Sequence, residues 1–277
     1  MTNTTRTATL LFLAVACGAD TKAPAPRAPV ASSSAAPAVS VALSSSALPA
    51  PPPKPPLGEL IDRALAEVEA AWMARDAQKL AAVYSADVEV RITLPTDGWK
   101  PLKKPDAEAQ LAQLFATFPD ARLTTTRTLR MGPVVAAEGY FTASSAGKKV
   151  GCPVLTLSWF EDGGLVKAQH VVFDPGTILG QLGKGDRKAK LRAVDPIPTA
   201  PIVSVTAGDT PDETKNALSV RAYYASGAAA KGASPEVLWA VGRFVVAELS
   251  VGAVRGVDVF ELLDGKMKPI ASYGPHR

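Results

Sequence analysis

The sequence predicts an α+β fold in which helices come first and a run of antiparallel strands follows. Three observations carry this. Leu60, Ile61, Leu65, Val68 and Trp72 recur at helical spacing with charges between them, the pattern of an amphipathic helix. "DVEVRITL", from Asp87 to Leu94, then switches to period two, as a half-buried strand does. Four further strand-like runs, near 122–131, 134–142, 149–160 and 165–173, have short connections. Helices followed by consecutive antiparallel strands place the helices on one face of a single sheet.

The elements follow in chain order. "MTNTTRTATLLFLAVACGAD" holds one early arginine, an apolar stretch from Leu10 to Ala16, and then Cys17. That stretch is too short to span a bilayer, which takes about 20 residues. It fits a secretory signal with a small-residue cleavage site. Ala16 directly before Cys17 resembles the lipobox of bacterial lipoproteins, although position 14 is alanine where leucine is usual. The resemblance implies a signal peptide over 1–16, lipidation of the Cys17 thiol, and a membrane anchor. Gly18, rather than aspartate, follows the cysteine and favours the outer membrane of a Gram-negative bacterium. No disulfide can then form within the exported chain, because only Cys152 is left. Its apolar setting reads as a buried small hydrophobe rather than a nucleophile.

Residues 17–56 form the tether. From Thr21 to Pro56 it holds ten of the 24 prolines and no acidic residue. Such a composition cannot bury enough surface to offset chain entropy, so an extended, disordered linker is expected. The folded part then opens near Leu57. Asp76 is placed to cap a second helix carrying Leu80, Val83 and Tyr84 inward. Asp106 can open a third, with Leu111, Leu114 and Phe115 on one face, and Phe118-Pro119-Asp120 stops it.

With these elements in place the chain resembles a known family. "WMARDAQKLAAVYSADVEV" carries the Trp72, Asp76, Leu80, Tyr84, Asp87 pattern that opens SnoaL-like domains of the nuclear transport factor 2-like superfamily. "GKKVGCPVLTLSWFEDGGLVKAQHVVFDPGTILGQLG" is similar to their closing hairpin. The resemblance covers residues 57–183. It implies a cone: a curved antiparallel sheet wrapped on helices around an apolar pocket, taking a small apolar molecule without a cofactor. The family includes polyketide cyclases, isomerases and members without activity, so fold alone does not settle function. Aligned with the ketosteroid isomerase pattern, Ile92 falls where that family carries its base, which argues against that reaction.

Residues 184–192, with five basic residues from Lys184 to Arg192, read as a solvated connector. Residues 193–277 echo the first unit weakly: "VLWAVGRFV" (237–245) follows "VVAAEGYFT" (134–142), and "VFELLDG" (259–265) follows "LSWFEDG" (157–163). A helix around 216–230 and three or four strands make a shorter, incomplete second cone-like unit. Its sheet needs cover from the first domain or from a second copy of the chain, which would make a homodimer.

One of only two histidines, His170, lies in the hairpin "WFEDGGLVKAQHVVFD". With Asp162-Gly163 at the turn, Trp159 pairs with Val166, Leu157 with Ala168 and Leu155 with His170. Leu155, Leu157, Trp159, Val166, Ala168, Val172 and His170 then share the drier face, and this face is expected to line the cone. Three roles stand open for the imidazole: a satisfied buried residue, an acid-base catalyst, or a ligand-binding group. Asp174 shares its parity but lies roughly 13 Å along the strand, so Glu138 and Tyr140 are the stronger partners. Asp174 also suits an end-of-strand cap.

Other chemistry finds little footing. "GKGDRK" lacks the strand-turn-helix setting of a phosphate loop, and there is no nucleophile-elbow serine. Two widely separated histidines do not make a metal site. No helix-turn-helix, zinc-finger or basic-aromatic pattern points to nucleic acid. Two readings of function follow: an envelope lipoprotein whose cone holds a small apolar molecule, with or without cyclase- or isomerase-type turnover, or a non-catalytic structural or interaction module.

Overall fold

A computed structural model describes residues 55–93, 101–145, 147–183, 203–229, 232–251 and 254–274. The expected signal peptide, Cys17, nearly all of the expected tether and the expected 184–192 connector lie outside the described residues.

Helix α1 spans Leu57–Ala74 and buries Ile61, Ala64 and Ala71. It ends because Arg75 turns left-handed (φ 55°), with the Asp76 N–H donating back to the Ala71 carbonyl at 3.0 Å. Asp76 then caps α2, Ala77–Ala82, its Oδ1 accepting from the Lys79 N–H at 3.0 Å. Strand β1 is Tyr84–Ile92. Helix α3, Lys104–Thr117, starts two residues before the expected Asp106, with Pro105 in its first turn, where a missing N–H costs nothing. Strands β2 (Arg122–Met131), β3 (Val134–Ser145), β4 (Lys148–Phe160) and β5 (Val166–Phe173) follow, then a short helix α4, Pro175–Gln181.

Together with β6, Val203–Thr206, these strands build a six-stranded sheet in the order β1-β5-β4-β3-β2-β6. Two of its pairings are parallel. β1 lies parallel to β5, and β6 lies parallel to β2 with Arg127 opposite Val203. Thus a strand from beyond the connector completes the first sheet. Helices α1 to α3 cover one face through two apolar clusters, one around Ile61, Val88 and Phe160, the other around Phe115, Phe118 and Phe141.

The β4–β5 hairpin departs from the expected register by two residues. Trp159 pairs with Ala168, Leu157 with His170 and Leu155 with Val172. The turn is wider than Asp162-Gly163: the Glu161 N–H donates to the Leu165 carbonyl at 2.9 Å. Gly164 holds φ +77° there, and a Cβ on it would stand 2.7 Å from Cβ of Leu60, so the turn lies flush on α1. A bulge then intervenes, because Phe160 opposes Val166 while Trp159 opposes Ala168. The extra residue on β5 moves Val166 to the opposite face from Ala168.

The second unit consists of α5 (Pro211–Ala225) and strands β7 (Ser234–Val241), β8 (Phe244–Val251), β9 (Val254–Leu263) and β10 (Lys266–Tyr273). Its sheet is all antiparallel, in the order β10-β9-β8-β7. Asp264 and Gly265 both take positive φ (50° and 73°) between Leu263 and Lys266, as a two-residue hairpin turn requires. One face of this sheet packs on α5 through Val220, Tyr224, Val245, Leu249 and Phe260. The other closes on the first sheet, where Leu129, Ala136, Leu155, Leu157 and Val172 meet Phe244, Val246, Val257 and Val259. The sheet face that a homodimer through this unit would use is therefore covered within the chain.

Candidate functional site

A cavity of about 510 Å³ lies between the helices and the first sheet. Leu65, Val68 and Trp72 of α1 and Leu111 and Leu114 of α3 line it and stay only half-buried, because one side of each faces open volume. Trp72 is held edge-on by Phe115 at 5.2 Å between ring centroids. On the sheet side the lining comes from alternate residues of β4 and β5: Val154, Thr156 and Ser158, then Gln169, Val171 and Phe173. Strand alternation dictates this, since residues two apart share a face.

Three polar side chains converge on this wall. The Tyr84 hydroxyl donates to Gln169 Oε1 at 2.7 Å, and Gln169 Nε2 donates to Ser158 Oγ at 3.0 Å. Gln169 and Ser158 face each other directly across the β4–β5 ladder, and Tyr84 begins β1 beside them. Burial pushes the Tyr84 phenol well above its ordinary value of 10.0, so it stays protonated and serves as a fixed donor. Cys152 also lines the cavity; burial, and secondarily the Asp174 carboxylate, push its thiol up to about 12.

The face expected to line the cone turns out to be the seam between the two sheets. Leu155, Leu157 and Val172 are fully buried there against the second sheet, with Trp159 packed at their edge. Trp159 meets His170 at 4.7 Å and Trp239 at 6.0 Å between ring centroids. Ala168 shares this parity opposite Trp159. Of the expected lining residues only Val166 borders the cavity, because the bulge reverses it. The correction has a plain cause. The driest face of a sheet belongs against another sheet, whereas a cavity wall tolerates hydroxyls and amides that meet solvent or ligand.

His170 accordingly points away from the cavity. Its Nδ1 lies 2.6 Å from Oε1 of Glu248 on β8, so the imidazole N–H donates to a carboxylate from the second unit. Glu138 is also in the seam, bound by Arg127 Nη1 at 2.9 Å and by the Tyr273 hydroxyl at 2.7 Å. Arg127 in turn lies over the Phe244 ring, 4.8 Å from its centroid. Tyr140 is buried on the same face of β3, two residues beyond Glu138. Asp174 caps α4, accepting from the Gly176 N–H at 2.9 Å and the Thr177 hydroxyl at 2.7 Å. The structure thus gathers His170, Glu138 and Tyr140 on one face, with Asp174 apart and all four outside the cavity lining.

Sequence reasoning placed Tyr84 inward without giving it a role, and did not single out Ser158 and Gln169 in the cavity or Glu248, Arg127 and Tyr273 in the seam. Ser158 and Gln169 alternate with Leu157 and His170 along their strands and so share the opposite face, but nothing in their own polarity marks that face as a cavity wall. Nothing local marks Glu248, which meets His170 across 78 residues of chain.

A curved sheet closed by helices around an apolar cavity defines a cone-type ligand-cavity fold. Residues 65–168 match the model of the SnoaL-like domain family. No curated protein matches the chain. Among solved structures, the chain is similar to IdmH, a putative polyketide cyclase from Streptomyces antibioticus, at 19% identity and a TM-score of 0.39, over 44% of this chain and 97% of that one. It is similar to AclR, a putative hydroxylase from Streptomyces galilaeus, at 21% identity and a TM-score of 0.41, over 47% and 100%. A protein from Catenulispora acidiphila with a ketosteroid isomerase-like fold aligns at 18% identity and a TM-score of 0.39, over 43% and 92%.

Proposed function

We propose that the protein binds a small, largely apolar molecule in the cavity of its first unit, held at the cell envelope by a lipid on Cys17. The observation that carries this reading is the cavity itself. Its volume of about 510 Å³ falls within the range of small-molecule sites. Its walls are apolar, with three convergent polar groups in one place. A packed interior would have favoured a purely structural module.

Binding is better supported than turnover. The ionisable groups among the described lining residues are Asp62, Glu69, Tyr84 and Cys152. Tyr84 and Cys152 are both held protonated by burial. Asp62 is exposed and paired with Arg130, and Glu69 is exposed on α1. The two buried groups therefore offer no base for the proton abstraction that such turnover needs. The His170, Glu138 and Tyr140 group supports a structural role, since it sits where the two sheets join.

The test is native mass spectrometry of the detergent-extracted protein, together with titration of neutral naphthalene derivatives followed by Trp72 fluorescence. A co-purifying molecule or saturable binding is expected, and Thr156→Trp, which fills the cavity from β4, should abolish it without unfolding the protein. If nothing co-purifies and no neutral aromatic binds, or if binding survives in Thr156→Trp, the proposal fails.

A further inference from the structure

The direction of the hydrogen bonds in the cavity constrains what the cavity can hold. Tyr84 spends its one hydroxyl proton on Gln169 Oε1, and Gln169 spends an amide proton on Ser158 Oγ. Ser158 therefore enters this relay as an acceptor, and its own hydroxyl proton is left over. Ser158 borders the cavity and is only 7% exposed, so bulk water does not readily take that proton. A buried hydroxyl is seldom left without a partner. Gln169 has a second amide proton on the same wall.

Charge constrains it further. Three positive side chains of this unit are engaged with other groups: Arg130 with Asp62, Arg127 with Glu138, and Lys104 with the Tyr84 carbonyl at 2.8 Å. No cation is among the described lining residues. An anionic ligand would lose its hydration without gaining a counter-charge, and that cost is large. The two carboxylates of the lining, Asp62 and Glu69, are solvent-exposed and Asp62 is paired with Arg130, so at the Ser158 wall a cationic ligand would meet only neutral donors.

We infer that the ligand is an uncharged molecule with an apolar body and one hydrogen-bond acceptor oxygen, a ketone or ester carbonyl, read by the Ser158 hydroxyl at the end of the Tyr84–Gln169–Ser158 relay. This rests on the binding function proposed above and adds ligand class and a specificity-determining residue to it. Tyr84 and Gln169 act as positioning residues. Tyr84 fixes the Gln169 amide, and Gln169, by donating to one lone pair of Ser158 Oγ, leaves the Ser158 proton free to turn toward the cavity.

Two measurements on the full-length protein test the inference. The first compares affinities for 2-acetylnaphthalene and its carbonyl-free analogue 2-ethylnaphthalene in the parent protein and in Ser158→Ala. The ketone-to-hydrocarbon affinity ratio should fall roughly 10-fold in Ser158→Ala, the effect of one buried neutral hydrogen bond, while the hydrocarbon still binds. The anion 2-naphthoate should bind neither protein. The second needs no variant: the infrared carbonyl stretch of bound, 13C-labelled 2-acetylnaphthalene should lie at lower frequency than in hexane. An unchanged ratio in Ser158→Ala, a hexane-like stretch in the parent protein, or naphthoate binding as tightly as the ketone would overturn the inference while leaving an apolar binding site intact. If neither neutral probe binds, the binding function and the inference fall together.

Discussion

His170 and Glu248 meet across the seam between the two sheets, Nδ1 to Oε1 at 2.6 Å, with the imidazole edge-on to Trp159. The histidine comes from the first unit and the glutamate from the second, so the contact exists only when the units are docked. Both side chains are largely shielded from solvent, at 17% and 7% exposure. A buried polar pair of this kind is costly to break from one side, because the remaining partner loses both water and its hydrogen bond.

Removing one partner should therefore destabilise the whole molecule. His170→Gln and Glu248→Gln are each expected to cost about 1–3 kcal/mol in urea unfolding, with bound-probe affinity in the cavity unchanged. The double variant should be less destabilised than the sum of the singles, with a coupling of about 0.5–3 kcal/mol. Strict additivity would mean that the pair does not act as a unit.

Glu213 should make the second unit sensitive to acid. It completes a capping box with Thr210 at the start of α5 and also accepts from the Gly242 N–H at 2.5 Å and the Gly208 N–H at 3.1 Å. Burial pushes its carboxyl up, but the N–H groups of Gly242, Thr210 and Gly208 and the Thr210 hydroxyl outweigh this and hold it below its ordinary 4.5. A depressed carboxylate contributes stability above its unfolded value and loses it as pH falls through the folded one. Melting temperature should hence drop as pH falls below 4.5, and Glu213→Gln should be less stable at neutral pH with a shallower acid slope. A Glu213→Gln profile parallel to that of the parent protein would contradict this.

Cys152 is 1% exposed and its thiol is pushed up to about 12. The thiolate is the reactive form, so peptide mapping after iodoacetamide treatment at pH 8 should find Cys152 unmodified in the native protein and modified in urea. Rapid native labelling would mean that the cavity wall opens far more often than its packing allows.

Cys17→Ser should abolish lipidation, giving either an unprocessed precursor or a protein that no longer partitions with membranes. Normal processing with undiminished membrane association would sink the lipoprotein proposal.

Local pattern made much of the fold legible. The helical spacing from Leu60 to Trp72, the Asp76 cap and the four strand runs all correspond to elements of the structure. Pairings between distant segments were not legible. No local signal joins β1 to β5 or brings Val203–Thr206 back to β2, since register in a parallel pair depends on the rest of the sheet. Parity along β4 and β5 was readable, and the two-residue register error preserved it for every residue but Val166. Inside and outside were exchanged because the sequence of one unit does not reveal that another sheet covers it. Dryness marked the seam of Leu155, Leu157 and Val172, and the mixed face with Ser158 and Gln169 was the cavity wall.

The central claim is that the ligand cavity lies on the Ser158–Gln169 face of the hairpin and the docked second unit on the His170 face. Intermolecular nuclear Overhauser effects between bound 2-acetylnaphthalene and methyl-labelled protein test it most directly. The ring protons should reach the methyl groups of Val154, Leu111 and Leu114, and none of those of Leu155, Leu157 or Val172. Contacts to Leu155, Leu157 and Val172, with none to Val154, would place the ligand in the seam and contradict the account.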